Sequence, residues 1–85
     1  MTSIDFSRLR SLTARQIISA LERDGFHLDR VRGSHHHYRN PDGRRVTVIY
    51  KQPGQTFKMG TLRSIIEKQA CWTEADLKRL KLIKS

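Results

Sequence analysis

The chain has 85 residues, 36% of them hydrophobic, enough for one small core rather than two. Seventeen Lys and Arg against eight Asp and Glu give a formal charge of +9 and a pI near 10.7, so the natural partners are polyanions: nucleic acid, an anionic membrane surface or an acidic protein. No apolar run approaches the roughly 20 residues that cross a bilayer, and the single Cys71 excludes an internal disulfide and a thiolate metal cluster, as suits a reducing compartment.

The first residues, Met1-Thr2-Ser3-Ile4-Asp5, lack the charged-then-apolar order of a secretory signal, so a cytoplasmic chain is expected. Residues 1–12 read as a short helical arm in which Phe6, Leu9 and Leu12 share a face. Thr13-Ala14-Arg15-Gln16 has the form of a capping box, in which the Thr13 hydroxyl and the Gln16 amide satisfy free backbone N–H groups at a helix start. Ile17, Ile18 and Leu21 follow close to helical spacing, and Gly25 ends the helix.

The pattern then turns to strands: 28–32, 34–40 and 44–51, the last carrying the β-branched and aromatic run Val46-Thr47-Val48-Ile49-Tyr50. Asn40-Pro41-Asp42-Gly43 is a tight-turn sequence joining the last two as a hairpin. Beyond Gln52-Pro53-Gly54, Thr61 is expected to cap a helix whose Leu62, Ile65 and Ile66 face the core. Thr73-Glu74-Ala75-Asp76 opens a short terminal helix with Leu77 and Leu80 as its apolar positions.

The order α, β, β, β, α plus a terminal helix implies one α+β domain over residues 1–85, with a three-stranded antiparallel sheet and its helices on one face. Alternation sorts the central strand: Ser34, His36 and Tyr38 point one way, and His35, His37 and Arg39 the other. With Tyr38 in the core beside Val46 and Val48, His35 and His37 project from the open face. A bulge after Gly33 would reverse that assignment.

Three consecutive imidazoles beside a glycine, in a chain rich in cations, are the candidate chemistry. Imidazole exchanges protons near neutral pH, and a histidine held among phosphates can act as general acid or base on them. An RNA 2′-hydroxyl must lose a proton to attack phosphorus, the leaving 5′-oxygen must gain one, and the crowded phosphorane needs charge stabilisation. Neutral His35 can serve as the base, with Arg32, Arg39, Lys51 and Lys58 the nearest candidate phosphate clamps, although a triple histidine on an exposed strand reads by itself more often as a solvated or hydrogen-bonded surface. Gly33 and Ser34, at a turn where backbone can approach a phosphate, and His37 complete the candidate RNA contacts. Gly33 reads nearly as well as an ordinary turn glycine, and His27 as structural. Zinc held by His35, His37 and His27 lacks a cysteine and sits in a cationic neighbourhood, so no metal or other cofactor is expected. A non-catalytic double-stranded-RNA binder and a basic protein-interaction module are the alternatives.

Gly33-Ser34-His35-His36-His37-Tyr38, the Asn40 to Gly43 turn, Arg45-Val46-Thr47-Val48 and Gly60-Thr61-Leu62-Arg63-Ser64-Ile65-Ile66 together resemble the HicA (YcfA-like) toxins, over about residues 13–80. The resemblance implies a double-stranded-RNA-binding-domain-like fold, cleavage of messenger RNA without a metal, and a HicB-type antitoxin as partner. It also implies that the histidine directly after Gly-Ser, here His35, is catalytic. Many members carry Pro, any residue, His after the third strand, where this sequence reads Tyr50-Lys51-Gln52.

Overall fold

A computed structural model describes residues 4–83. A 3₁₀ turn over Phe6–Leu9 precedes helix α1 (Ala14–Arg23), strands β1 (His27–Arg32), β2 (His35–Arg39) and β3 (Arg45–Ile49), helix α2 (Met59–Arg63), a π-helical continuation over Ser64–Gln69, and helix α3 (Glu74–Arg79). The strands form one antiparallel sheet in the order β1-β2-β3. This is the α+β arrangement that the order of elements predicts, and it is consistent with the double-stranded-RNA-binding-domain-like fold that the resemblance implies.

Both capping boxes are present. The Thr13 side chain accepts from the Gln16 N–H and Gln16 closes back on the Thr13 N–H; Thr73 and Asp76 make the same exchange at α3. Thr61 does not cap α2. The N-cap is Lys58, which offers no side-chain hydrogen bond, and Thr61 lies within the first turn. The helix starts three residues earlier because Leu62 is already a buried helical position.

Tyr38, Val46 and Val48 enter one core with Ile17, Leu21, Leu62 and Ile66, so the inward face of the sheet is the one expected. Phe6, Leu9 and Leu12 are buried in that same core. The described part of the N-terminal segment thus packs into that core, while residues 1–3 lie outside the described residues. Burial also pushes the Tyr38 hydroxyl up to about 12, with Tyr50 and Glu22 adding to the shift.

Register follows from the turns. Gly33 and Ser34 form a two-residue hairpin loop, and Gly33 adopts φ +57°, the left-handed region that a hairpin turn asks of glycine. Arg32 then pairs with His35, Val31 with His36, and Arg30 with His37. The bulge lies not after Gly33 but between Leu28 and Arg30. It therefore leaves the facing of β2 unchanged and instead brings Leu28 opposite Tyr38. On the other side His35 pairs with Ile49, His37 with Thr47, and Tyr38 with Val46.

The outer edge of β3 is covered by the π-helical segment. The Gln69 side-chain oxygen accepts from the Thr47 N–H at 2.8 Å, and the Gln69 amide donates to Ser64 Oγ at 3.1 Å. Five-residue spacing aligns Ser64 with Gln69 only in a π turn, so the unusual helix supplies the acceptor that an edge-strand N–H needs.

The opposite end of the β2–β3 hairpin is clamped. Asp24, just past α1, accepts from Trp72 Nε1 and Arg79 at 2.8 Å each and pairs with Arg44 at 3.1 Å. Burial pushes the Asp24 carboxyl up, but the hydrogen bonds from Trp72 and Arg79 and the Arg44 charge outweigh it, and the group titrates below its ordinary value. Arg79 is thus a structural tie, and Lys78 pairs with Glu74.

Candidate active site

The open face of the sheet presents His35 and His37 side by side, their ring centroids 6.4 Å apart and the planes inclined at 48°. His35 is exposed and His37 half-buried. The difference comes from the neighbours: His35 stands at the Gly33 turn opposite Ile49, whereas His37 stands mid-strand and hydrogen-bonds Thr47 Oγ1 through Nδ1 at 3.0 Å. Cross-strand pairing puts Arg32 beside His35 and Arg30 beside His37 on the same face.

His36 turns the other way. Its ring stacks on Tyr50 at 4.0 Å and its Nδ1–H donates to the Ser34 carbonyl at 2.9 Å. Both nitrogen and ring face are thereby engaged in holding the end of the sheet together, with the ring half-buried. A cleft of about 390 Å³ runs past Gly33, Ser34, His36, Tyr50 and Lys51. A second, of about 360 Å³, is bounded by Thr47 and Ile49 on the sheet and by Gly60, Thr61, Ser64 and Gln69 on the helix.

The expected site residues are therefore only partly brought together. His35, His37 and Arg32 share the open face around the Gly33 turn. Gly33 and Ser34 form that turn, and nothing lies within 4 Å of where a Gly33 Cβ would stand; its backbone conformation, not crowding, is what calls for glycine. Lys51 lies just beyond β3 against the first cleft, and Lys58 caps α2, whose start lines the second. Arg39 is on the open face but four residues from His35, about 13 Å along the strand, which makes it an outlying contact. Gln52 is exposed in the loop beyond Lys51.

Arg30 and Thr47 were not singled out from the sequence. Their signal was available: a two-residue turn at Gly33-Ser34 fixes Arg30 opposite His37, and the next hairpin puts Thr47 across from the same histidine.

Among the described residues, no ion pair involves Arg30, Arg32, Arg39, Lys51 or Lys58; the carboxylates of Asp24, Asp42, Glu74 and Asp76 are engaged with Arg44, Lys78 and Arg79. Uncompensated cations around two imidazoles make a surface suited to phosphates. No group of three His, Cys, Asp or Glu side chains among the described residues is placed to share a metal ion. His27, at the start of β1, pairs with Arg39 at the far end from Arg32 and His35.

The family model for the HicA toxin of bacterial toxin-antitoxin systems matches residues 14–71, from the first residue of α1 to the turn after the π-helical segment. The chain belongs to the HicA toxin family. The matched stretch contains both histidines of the open face, the Gly33 turn and the Gln69 edge contact, so this HicA protein is a toxin of a toxin-antitoxin system with an antitoxin as partner. A search of curated proteins finds no match. Among the described residues, no helix is long and apolar enough to cross a membrane.

Proposed function

We propose that this HicA protein is an endoribonuclease that cleaves messenger RNA in the cytoplasm without a metal ion, with His35 as general base. The observation that carries the reading is the exposed His35 on an open sheet face, flanked by Arg32, Arg30 and His37 with no carboxylate partner among the described residues. Cleavage through the 2′-hydroxyl requires proton transfer and stabilisation of the phosphorane, and imidazole and guanidinium groups supply both. Arg32, Lys51 and Lys58, with the Gly33-Ser34 turn, His37 and the outlying Arg39, hold the phosphodiester backbone. A HicB-type antitoxin covers the open face, excludes RNA and buries His35, its acidic character steering association with the +9 chain.

The test is brief induction of the wild-type chain and of His35→Ala at matched protein level, following growth and transcript integrity, with EDTA-treated lysates assayed for RNA cutting. Growth arrest and EDTA-resistant cleavage by the wild type alone is the expected result. Cleavage by both chains would move the active site away from His35. Retained RNA binding with intact transcripts in both would establish a non-catalytic RNA binder instead. Coexpressed antitoxin should restore growth and protect His35 from imidazole-modifying reagents; a restored culture with His35 still reactive would contradict the covering of this face.

A further inference from the structure

Transphosphorylation moves two protons, and a base alone handles one of them. We infer that His37 is the general acid of this site: its imidazolium protonates the leaving 5′-oxygen while His35 accepts the proton of the 2′-hydroxyl. The inference rests on the ribonuclease reading above and adds a second catalytic residue to it.

Geometry selects His37. It shares the open face with His35 at 6.4 Å between ring centroids, a separation that lets both imidazoles address a single phosphodiester. His36, the other neighbouring imidazole, faces the opposite side and has its ring stacked and its Nδ1 engaged. His27 is at the far end of β1. The other charged groups near the site include Arg30 and Arg32 from β1, Arg39 and Arg45 at the strand ends and Lys51 beyond β3, none of which gives up a proton near neutral pH, and Asp29, a carboxylate in the β1 bulge.

Thr47 fixes which nitrogen does the work. An imidazolium is a donor at both nitrogens, so in the acid form the 3.0 Å contact is Nδ1–H donating to Thr47 Oγ1. Nε2–H is then the proton left for the substrate. After transfer, the neutral ring keeps its Nδ1–H on Thr47 and carries its lone pair at Nε2, so one hydrogen bond serves both protonation states. Thr47 is itself held by the Gln69 side-chain oxygen on its N–H, and Gln69 by Ser64. The π-helical segment that covers the sheet edge thus orients the proposed acid through the sheet, and Thr47 is a positioning residue.

The step balances. The 2′-oxygen loses its proton to neutral His35 and forms a bond to phosphorus; the bond from phosphorus to the 5′-oxygen breaks, and that oxygen takes the Nε2 proton of His37. The products are a 2′,3′-cyclic phosphate and a 5′-hydroxyl, with His35 protonated and His37 neutral until water exchanges the two protons back.

A leaving group that needs no proton separates this role from binding or folding. The purified chain, His37→Ala, Thr47→Val, Thr47→Ser and His35→Ala are compared on an oligoribonucleotide and on the same oligonucleotide with sulfur in place of the bridging 5′-oxygen at the cut site. His37→Ala should lose on the order of 100-fold or more on the oxygen substrate and return to within a few-fold of wild type on the sulfur substrate. Thr47→Val should show a smaller loss with the same rescue, and Thr47→Ser, which keeps the hydroxyl, little loss. His35→Ala should be slow on both. Equal impairment of His37→Ala on the two substrates, or no impairment on either, overturns the inference while leaving His35 as base. A wild-type chain that cuts neither substrate overturns the ribonuclease reading and this inference with it.

Discussion

The two ends of the β2–β3 hairpin are built on opposite principles. At the Asn40 to Gly43 turn, Asp24 gathers Trp72, Arg44 and Arg79, and Asp42 takes a second bond from Arg44, so cations there are spent on carboxylates and hold α1, the hairpin and α3 together. At the Gly33 turn, His35 and the flanking Arg32, Arg30 and Lys51 have no carboxylate partner among the described residues. In a chain with eight acidic residues, concentrating ion pairs at one end leaves the other end strongly positive. Stability is thereby assigned to one end and, on the proposed reading, polyanion recognition to the other, and substitutions should separate them.

The largest effect belongs to the open end. His35→Ala should lower RNA cleavage about 100- to 10,000-fold while the thermal midpoint stays near wild type, because an exposed side chain away from packing contributes within about 0.5 kcal/mol. A large fall in melting temperature would show that the imidazole is structural and erase the contrast.

Asp24→Ala is the reciprocal change. It removes the acceptor of Trp72 and the partner of two arginines, and should cost about 2 kcal/mol; the value is below that for breaking a fully buried pair because Arg44 and Arg79 keep contact with water. Cleavage per folded molecule should be unchanged. Thermal melting and a titration of folded protein against RNA decide both halves.

Acid should act on the clamped end first. The Thr73 backbone N–H lowers Asp76 and the Arg44 side chain lowers Asp42, while Asp24 is lowered against its burial. A carboxyl whose folded-state value is depressed stabilises the fold above its ordinary value, 3.8 here, and that contribution is lost as pH falls through the folded value. Melts taken downward from neutral pH should therefore show a steepening loss of stability below about 4, and Asp24→Asn should flatten part of it. An acid limb unchanged in Asp24→Asn would remove Asp24 from the account of stability.

The smallest effect sharpens the open end. Arg30→Gln should weaken RNA binding a few-fold at every sequence and reduce the salt slope by about 0.7, one single-strand phosphate contact. An unchanged slope would place the backbone elsewhere on the sheet.

What was legible beforehand was local. Thr13 with Gln16 and Thr73 with Asp76 announce helix starts within four residues, and Val46, Val48 and Tyr38 reveal the inner face by alternation alone. The site's two histidines followed from the same alternation. The Asp24 clamp was not legible, because its partners Trp72 and Arg79 lie 48 and 55 residues away and no local pattern marks such a contact. Nor was the π-helical segment: Leu62, Ile65 and Ile66 fit an ordinary helix, and only the need of Thr47 for an edge acceptor accounts for Gln69 facing it. Lys58 as a cap without a side-chain bond likewise escaped propensity, which favours Thr61.

The central claim is that the open face cleaves RNA through its own 2′-hydroxyl with His35 taking the proton. It is tested most directly with purified chain, in EDTA, on an oligoribonucleotide and on the same strand carrying one 2′-deoxy nucleotide at the mapped cut site. Cutting of the first to a 2′,3′-cyclic phosphate and a 5′-hydroxyl, loss of that cutting in His35→Ala, and resistance of the second is the expected result. Cleavage of the deoxy-substituted strand at the same position would contradict it.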